Sequence, residues 1–242
     1  MKIALLLFGQ PRNLENPNSF KSHQEWIYDE YDVDTYCHAW WEKGVESYDV
    51  SDWVNEECKA PENPIEVIEE RYKPKNIKVE SPRNFKLSDD LYKRTRDKFG
   101  YDHPWSEKTL SNVSSHLYSI ESAARLIENP NDYDFIIQSR YDNYIHNFPD
   151  LESMDGDHFY LSDHHPRFPD LMYIFSPKFI ETQFTYGKMD ELAERHFDKF
   201  WEPSAECYKY YNYLDKFFIQ QLFPIHLPVR VIRDSTGYGD TS

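Results

Sequence analysis

Hydrophobic positions along this chain change period repeatedly, and each change marks an element. Lys2 to Phe8 is a near-continuous apolar run, the pattern of a strand covered on both faces. Gly9-Gln-Pro-Arg-Asn13 ends it as a loop, because Pro11 disfavours helix at Gln10. Ser19 to Tyr31 predicts a helix carrying Phe20, Trp26 and Ile27, and Val33 to Trp41 predicts a second strand. Glu42 to Pro61 is acidic and irregular. Ile65 to Tyr72 reads as a short helix and Asn76 to Glu80 as a third strand. Lys86 to Trp105 is polar without a clear period and reads as an insertion or loop. Thr109 to Ile127 has the clearest helical period, with Val113, Leu117, Ile120, Ala124 and Ile127 on one stripe, and Asn129-Pro-Asn stops it.

The run Phe135-Ile-Ile137 follows, and its strand delivers Arg140-Tyr-Asp142 to its end. Asp157 to Leu161 and Leu171 to Phe175 predict two more strands. Helices are expected over Lys178–Tyr186, Met189–Phe200 and Glu206–Phe223, and a last strand over Pro228–Arg233. Strands alternating with helices predict an α/β fold with a mixed, mostly parallel sheet flanked by helices. The 242 residues suit one domain.

Composition narrows the function classes. Aromatic residues make up 17% of the chain, too many for a disordered acidic protein. The formal net charge of −16 repels phosphate backbones and anionic membranes, so no nucleic-acid partner is expected. A small phosphorylated ligand needs only a local cluster of cations. Cys37, Cys58 and Cys207 are odd in number and widely spaced, which indicates neither a disulfide framework nor a zinc site. A reducing, cytoplasmic location is expected. The first apolar run is too short for a transmembrane segment, and Gly9–Arg12 lacks a signal-peptide cleavage pattern.

Candidate chemistry gathers at strand ends. In open α/β sheets ligands bind outside the carboxyl ends of the strands. There Arg140 and Asp142 are either a phosphate and metal site or an ion pair at a strand end. Gly9 permits close backbone approach, and Arg12 offers a planar fork for phosphate oxygens. His38 stands near the end of the second strand, either at a ligand or as a hydrogen-bonded structural group. Asp163, His164 and His165 resemble a metal cluster, but neighbours on a strand point opposite ways, so joint ligation needs a loop. His226 is a solitary metal-ligand candidate. Asp170, Glu206 and Asp163 are candidate general bases in the C-terminal half. No Walker loop, HExxH, GxSxG or GxGxxG occurs.

Four elements in order carry a resemblance: Lys2-Ile-Ala-Leu-Leu-Leu-Phe-Gly-Gln-Pro-Arg12, Asp32-Val-Asp-Thr-Tyr-Cys-His-Ala-Trp40, Leu117-Tyr-Ser-Ile-Glu-Ser-Ala-Ala124 and Tyr133-Asp-Phe-Ile-Ile-Gln-Ser-Arg-Tyr-Asp142. Together they resemble a GT-A-like glycosyltransferase family of phages, large viruses and bacterial polysaccharide clusters. The likeness implies a GT-A-like, Rossmann-type domain with a nucleotide-binding half to about residue 145 and an acceptor-side half from about 146 to 233. It implies a transferase that moves a sugar from a nucleotide-diphosphate donor to a glycan or other hydroxyl. Phe8, Gly9, Gln10, Arg12, His38, Tyr118, Ser119 and Arg140 would bind the donor. Asp142 would hold a divalent metal, Mn²⁺ or Mg²⁺. Two departures stand out: Arg140 occupies the place of the first carboxylate of an Asp-x-Asp metal motif, and Gln138 stands where relatives often carry a basic residue. A non-catalytic carbohydrate-binding module and a nucleotidyltransferase are the alternatives.

Overall fold

The computed structural model describes residues 1–45, 47–48, 58–59, 61–162 and 171–231. In chain order the strands are β1 (Lys2–Gly9), β2 (Asp32–Trp40), the two-residue β3 (Ser47–Tyr48) and β4 (Cys58–Lys59), β5 (Asn76–Glu80), β6 (Phe135–Arg140), β7 (Asn143–Ile145), β8 (Phe159–Ser162), β9 (Met172–Phe175), β10 (Leu222–Ile225) and β11 (Val229–Val231). The helices are α1 (Pro17–His23), α2 (Pro64–Tyr72), α3 (Asp89–Phe99), α4 (His103–Ala124), α5 (Met189–His196) and α6 (Ala205–Leu214).

One seven-stranded sheet runs in the order β10-β8-β9-β6-β1-β2-β5. β1 pairs in parallel with β2 and β6, and β2 with β5. β9 is antiparallel to both β6 and β8, while β10 returns parallel to β8. The expected mixed, mostly parallel sheet with flanking helices is therefore present. Chain order reverses direction across the sheet between β1 and β6, which makes a topological switch point there.

The alternation of side chains in a strand separates two cores. Ile3, Leu5 and Leu7 face a layer with Ile27, Ile68 and Tyr72, from the α1 and α2 side. Ala4, Leu6 and Phe8 face Ile120, Ala123 and Ala124 of α4 and Tyr213 of α6. A third cluster joins α3 to α6 through Leu91, Leu110, Leu117, Leu192 and Tyr208. Burial on both faces explains why β1 reads as an unbroken apolar run.

Several elements differ from expectation. The segment expected as a loop, Lys86 to Trp105, contains α3. Ser88 caps its first turn by accepting from Leu91 N–H, and Gly100 closes it at φ 76°. Its core contribution is only the narrow stripe Leu91, Tyr92 and Thr95, too small to stand out among charged residues. The first helix is α-helical only to His23 and continues as a π turn over Gln24–Tyr28. The segment expected as one helix over Glu206–Phe223 ends at Leu214, and Leu222–Ile225 leaves it to pair with β8. In place of the helix expected over Lys178–Tyr186 stand two 3₁₀ turns, Pro177–Gln183 and Tyr186–Lys188. The strand β7, just past Asp142, pairs with β11 outside the main sheet. No helix among the described residues is long and apolar enough to cross a membrane.

Candidate functional site

A cavity of about 180 Å³ opens at the switch point. Its wall is formed by Phe8, Gly9, Gln10 and Arg12 after β1, Trp40 at the end of β2, Arg140 and Asp142 at the end of β6, and Asn112, Ser115, His116 and Ser119 of α4. Small-molecule sites usually span about 300–1,000 Å³, so a ligand the size of a nucleotide would extend past the mouth of this cavity, which is open to solvent.

Register brings the wall together. Phe8 pairs with His38 on one side and with Arg140 on the other, so the three lie in one row across β2, β1 and β6. Gly9 follows at φ 106°, a region that side-chain-bearing residues rarely adopt. A Cβ there would meet nothing within 4 Å, so the backbone faces open space. The turn is closed by Arg12 N–H donating to Gln10 O at 2.8 Å.

Asp142 is the hub. Arg12 Nε–H donates to its Oδ2 at 2.7 Å. Arg140 donates from Nε to Oδ1 and from Nη2 to Oδ2, both at 2.8 Å, in a bidentate fork. Asp142 is 3% exposed. Burial alone would raise its pKa, but the charges of Arg140 and Arg12 outweigh this and hold it well below the usual carboxylate range.

The strand end is fixed from behind by α1. Ser19 Oγ donates to the backbone oxygens of Tyr141 and Asn143, the latter at 2.7 Å. His23 Nδ1 lies 2.9 Å from Ser19 O, and a carbonyl only accepts, so Nδ1 carries the proton. Its Nε2 then accepts from Ser139 Oγ at 3.1 Å. Burial lowers the His23 pKa to about 4, against the raising effect of the Ser19 carbonyl, so the ring is neutral at pH 7.

His38 is fully buried and does not line the cavity. Its Nε2–H donates to Glu80 Oε2 at 3.1 Å, leaving Nδ1 to accept from Ser119 Oγ at 2.6 Å. Burial lowers its pKa to about 4 despite Glu80. Tyr118 donates to Glu80 as well and stacks on Trp40, with ring centroids 5.5 Å apart and planes at 26°. The Arg83 guanidinium lies 4.5 Å from the centre of the Tyr118 ring. His38 and Tyr118 thus support the wall from behind, whereas Ser119 reaches it.

The remaining candidates are scattered. Glu206 stands in the first turn of α6, where an acid complements the helix N-terminus, and is not part of the cavity wall. His226 lies between β10 and β11, also away from that wall. Asp163, His164, His165 and Asp170 lie outside the described residues. Gln138 receives a cation after all: Lys209 of α6, 1% exposed, donates from Nζ to Gln138 Oε1 at 3.2 Å.

Sequence reading missed Asn112, Ser115 and His116. The signal was present, since they and Ser119 recur at i, i+3, i+4 and i+7, a polar stripe beside the apolar one on the same helix. Trp40 ends the second-strand motif without a predicted role, and it too lines the cavity.

A divalent cation at Asp142 would have to share the carboxylate with donors that already hold it. Magnesium takes carboxylate lone pairs in near-octahedral geometry. Here three N–H bonds occupy the carboxylate. Among the described residues Asp142 is the one acid on the cavity wall, and no group of three metal-ligating side chains occurs among them.

No protein-family model matches this chain, and no curated protein is significantly similar to it.

Proposed function

We infer that this protein is a glycosyltransferase of GT-A-like architecture, taking a nucleotide-diphosphate sugar as donor and a glycan or other hydroxyl as acceptor. The observation that carries the reading is the pair Arg12 and Arg140 on the wall of a cavity at the switch point of a mostly parallel sheet. That is where open α/β sheets bind phosphorylated ligands. Gly9 leaves the backbone open to close approach, and Gln10, Asn112, Ser115 and Ser119 offer neutral hydrogen bonds around the two charges.

In the reaction, the bond from the anomeric carbon to the diphosphate breaks and the acceptor oxygen takes its place. The acceptor proton passes to a general base. The departing nucleoside diphosphate gathers negative charge, and two guanidiniums held in place before reaction stabilise it without reorganising. Trp40, buried and stacked on Tyr118, gives the cavity one rigid aromatic wall.

The test is a panel of nucleotide sugars assayed for release of nucleoside diphosphate, together with thermal shifts. A ligand at a hundred times its Kd stabilises by about 2.7 kcal/mol, which is readily measured. Release of pyrophosphate from a nucleoside triphosphate and a sugar phosphate would favour a nucleotidyltransferase instead. Binding of oligosaccharides with no response to any nucleotide would favour a non-catalytic carbohydrate module.

A further inference from the structure

We propose that Arg12 and Arg140, locked together on Asp142, form a diphosphate clamp that works without a divalent metal. The inference rests on the nucleotide-sugar reading and deepens it by assigning how the charge of the diphosphate is met.

The chemistry of the trio carries the inference. Asp142 is buried and bound on both oxygens, through Nε of Arg12 and through Nε and Nη2 of Arg140. Two guanidiniums meet at one carboxylate on the cavity wall, and guanidinium is the group that binds phosphate oxygens. A dication on Asp142 would have to compete with these bonds for the carboxylate and sit against two guanidiniums. The carboxylate therefore acts as a positioning group that holds two cations side by side against their mutual repulsion.

Placement supports the same role. Arg12 and Arg140 come from the loop after β1 and the end of β6, so they flank the switch point from two strands. Both line the cavity, next to the open backbone at Gly9. The turn after Arg140 is pinned by Ser19 to the oxygens of Tyr141 and Asn143, which keeps Asp142 in place. Cations fixed before binding lose little side-chain freedom when the anion arrives.

The experiment is titration calorimetry of the full chain with inorganic pyrophosphate, UDP and GDP, in EDTA and in Mn²⁺. The expected result is at least one nucleoside diphosphate binding with a Kd that differs less than threefold between the two conditions. Arg12→Lys and Arg140→Lys should each weaken that binding at least tenfold in EDTA, because an ammonium keeps the charge but loses the fork. Circular dichroism and Tm confirm that the variants fold, and the comparison on the unaltered protein stands without them. Nucleotide binding that appears only with Mn²⁺, or tightens more than tenfold with it, overturns the clamp and leaves the nucleotide-sugar reading intact. Pyrophosphate binding in EDTA with no nucleotide response supports the clamp as an anion site and sinks the nucleotide reading. Absence of binding by all three probes in both conditions overturns both.

Discussion

Arg12 Nε–H donates to Asp142 Oδ2 at 2.7 Å across a sequence separation of 130 residues. This bond ties the loop after β1 to the turn after β6, the two segments that flank the switch point. It also lies almost out of solvent, with the two side chains 10% and 2% exposed. A buried ion pair is balanced only while both partners are present.

Asp142→Asn removes the charge that both guanidiniums face. Breaking a buried pair from one side costs about 3–5 kcal/mol. The expected loss is near the lower end, because Arg140 is partly exposed and water can reach it. Urea denaturation measures this, and a loss below about 1 kcal/mol would show that the trio does not act as a stabilising unit.

Acid should weaken the fold before the carboxylates titrate. His23 and His38 each have a folded pKa lowered to about 4 from 6.5, chiefly by burial. Between these values the unfolded chain binds more protons than the folded one, so stability rises with pH from about 4 to about 6.5 and levels above it. One pKa unit corresponds to about 1.4 kcal/mol, so each ring accounts for a few kcal/mol across that window. Tm followed from pH 8 to pH 5 should be flat and then fall. His23→Asn should reduce the fall, and a wild-type Tm that is constant down to pH 5 would contradict the assignment.

Gly9 should resist substitution for conformational rather than steric reasons. Its φ of 106° disfavours any Cβ, although a Cβ would meet nothing within 4 Å. Gly9→Ala should cost about 1–2 kcal/mol of stability. A neutral result in equilibrium unfolding would mean that the turn relaxes to negative φ without loss.

Cys37 and Cys207 should be silent thiols in the native protein. Both are fully buried, and burial raises their pKa to about 12 and about 11. The thiolate is the reactive form. In a Cys58→Ser background, labelling by a disulfide reagent at pH 8 should occur only as fast as the chain opens. Labelling within seconds of mixing would place one of them at an accessible surface.

Some of this was legible in the residues. The first strand, the second and third strands and the helix of α4 are each set by a local period, so apolar spacing located them. The α3 helix was missed because its caps, Ser88 and Gly100, are strong but its apolar stripe is short. The Glu206–Phe223 segment misled because its aromatic spacing continues past Leu214, where pairing with β8 draws Leu222–Ile225 into the sheet. Tertiary pairing there outweighs local preference.

The sequence by itself determined the alternation of strands and helices and the residues delivered to the ends of β1, β2 and β6, because period and chain direction are local properties. Only the tertiary structure decided that β9 runs against its neighbours, that the polar stripe of α4 closes the cavity, and that Arg12 and Arg140 share one carboxylate. Those relations join positions far apart in the chain, and they follow from which strands become neighbours and in what register. Arg140 and Asp142 read in isolation as either a strand-end ion pair or a phosphate and metal site. Placed beside Arg12 by the order of the sheet, they are an ion pair built into the wall of the cavity.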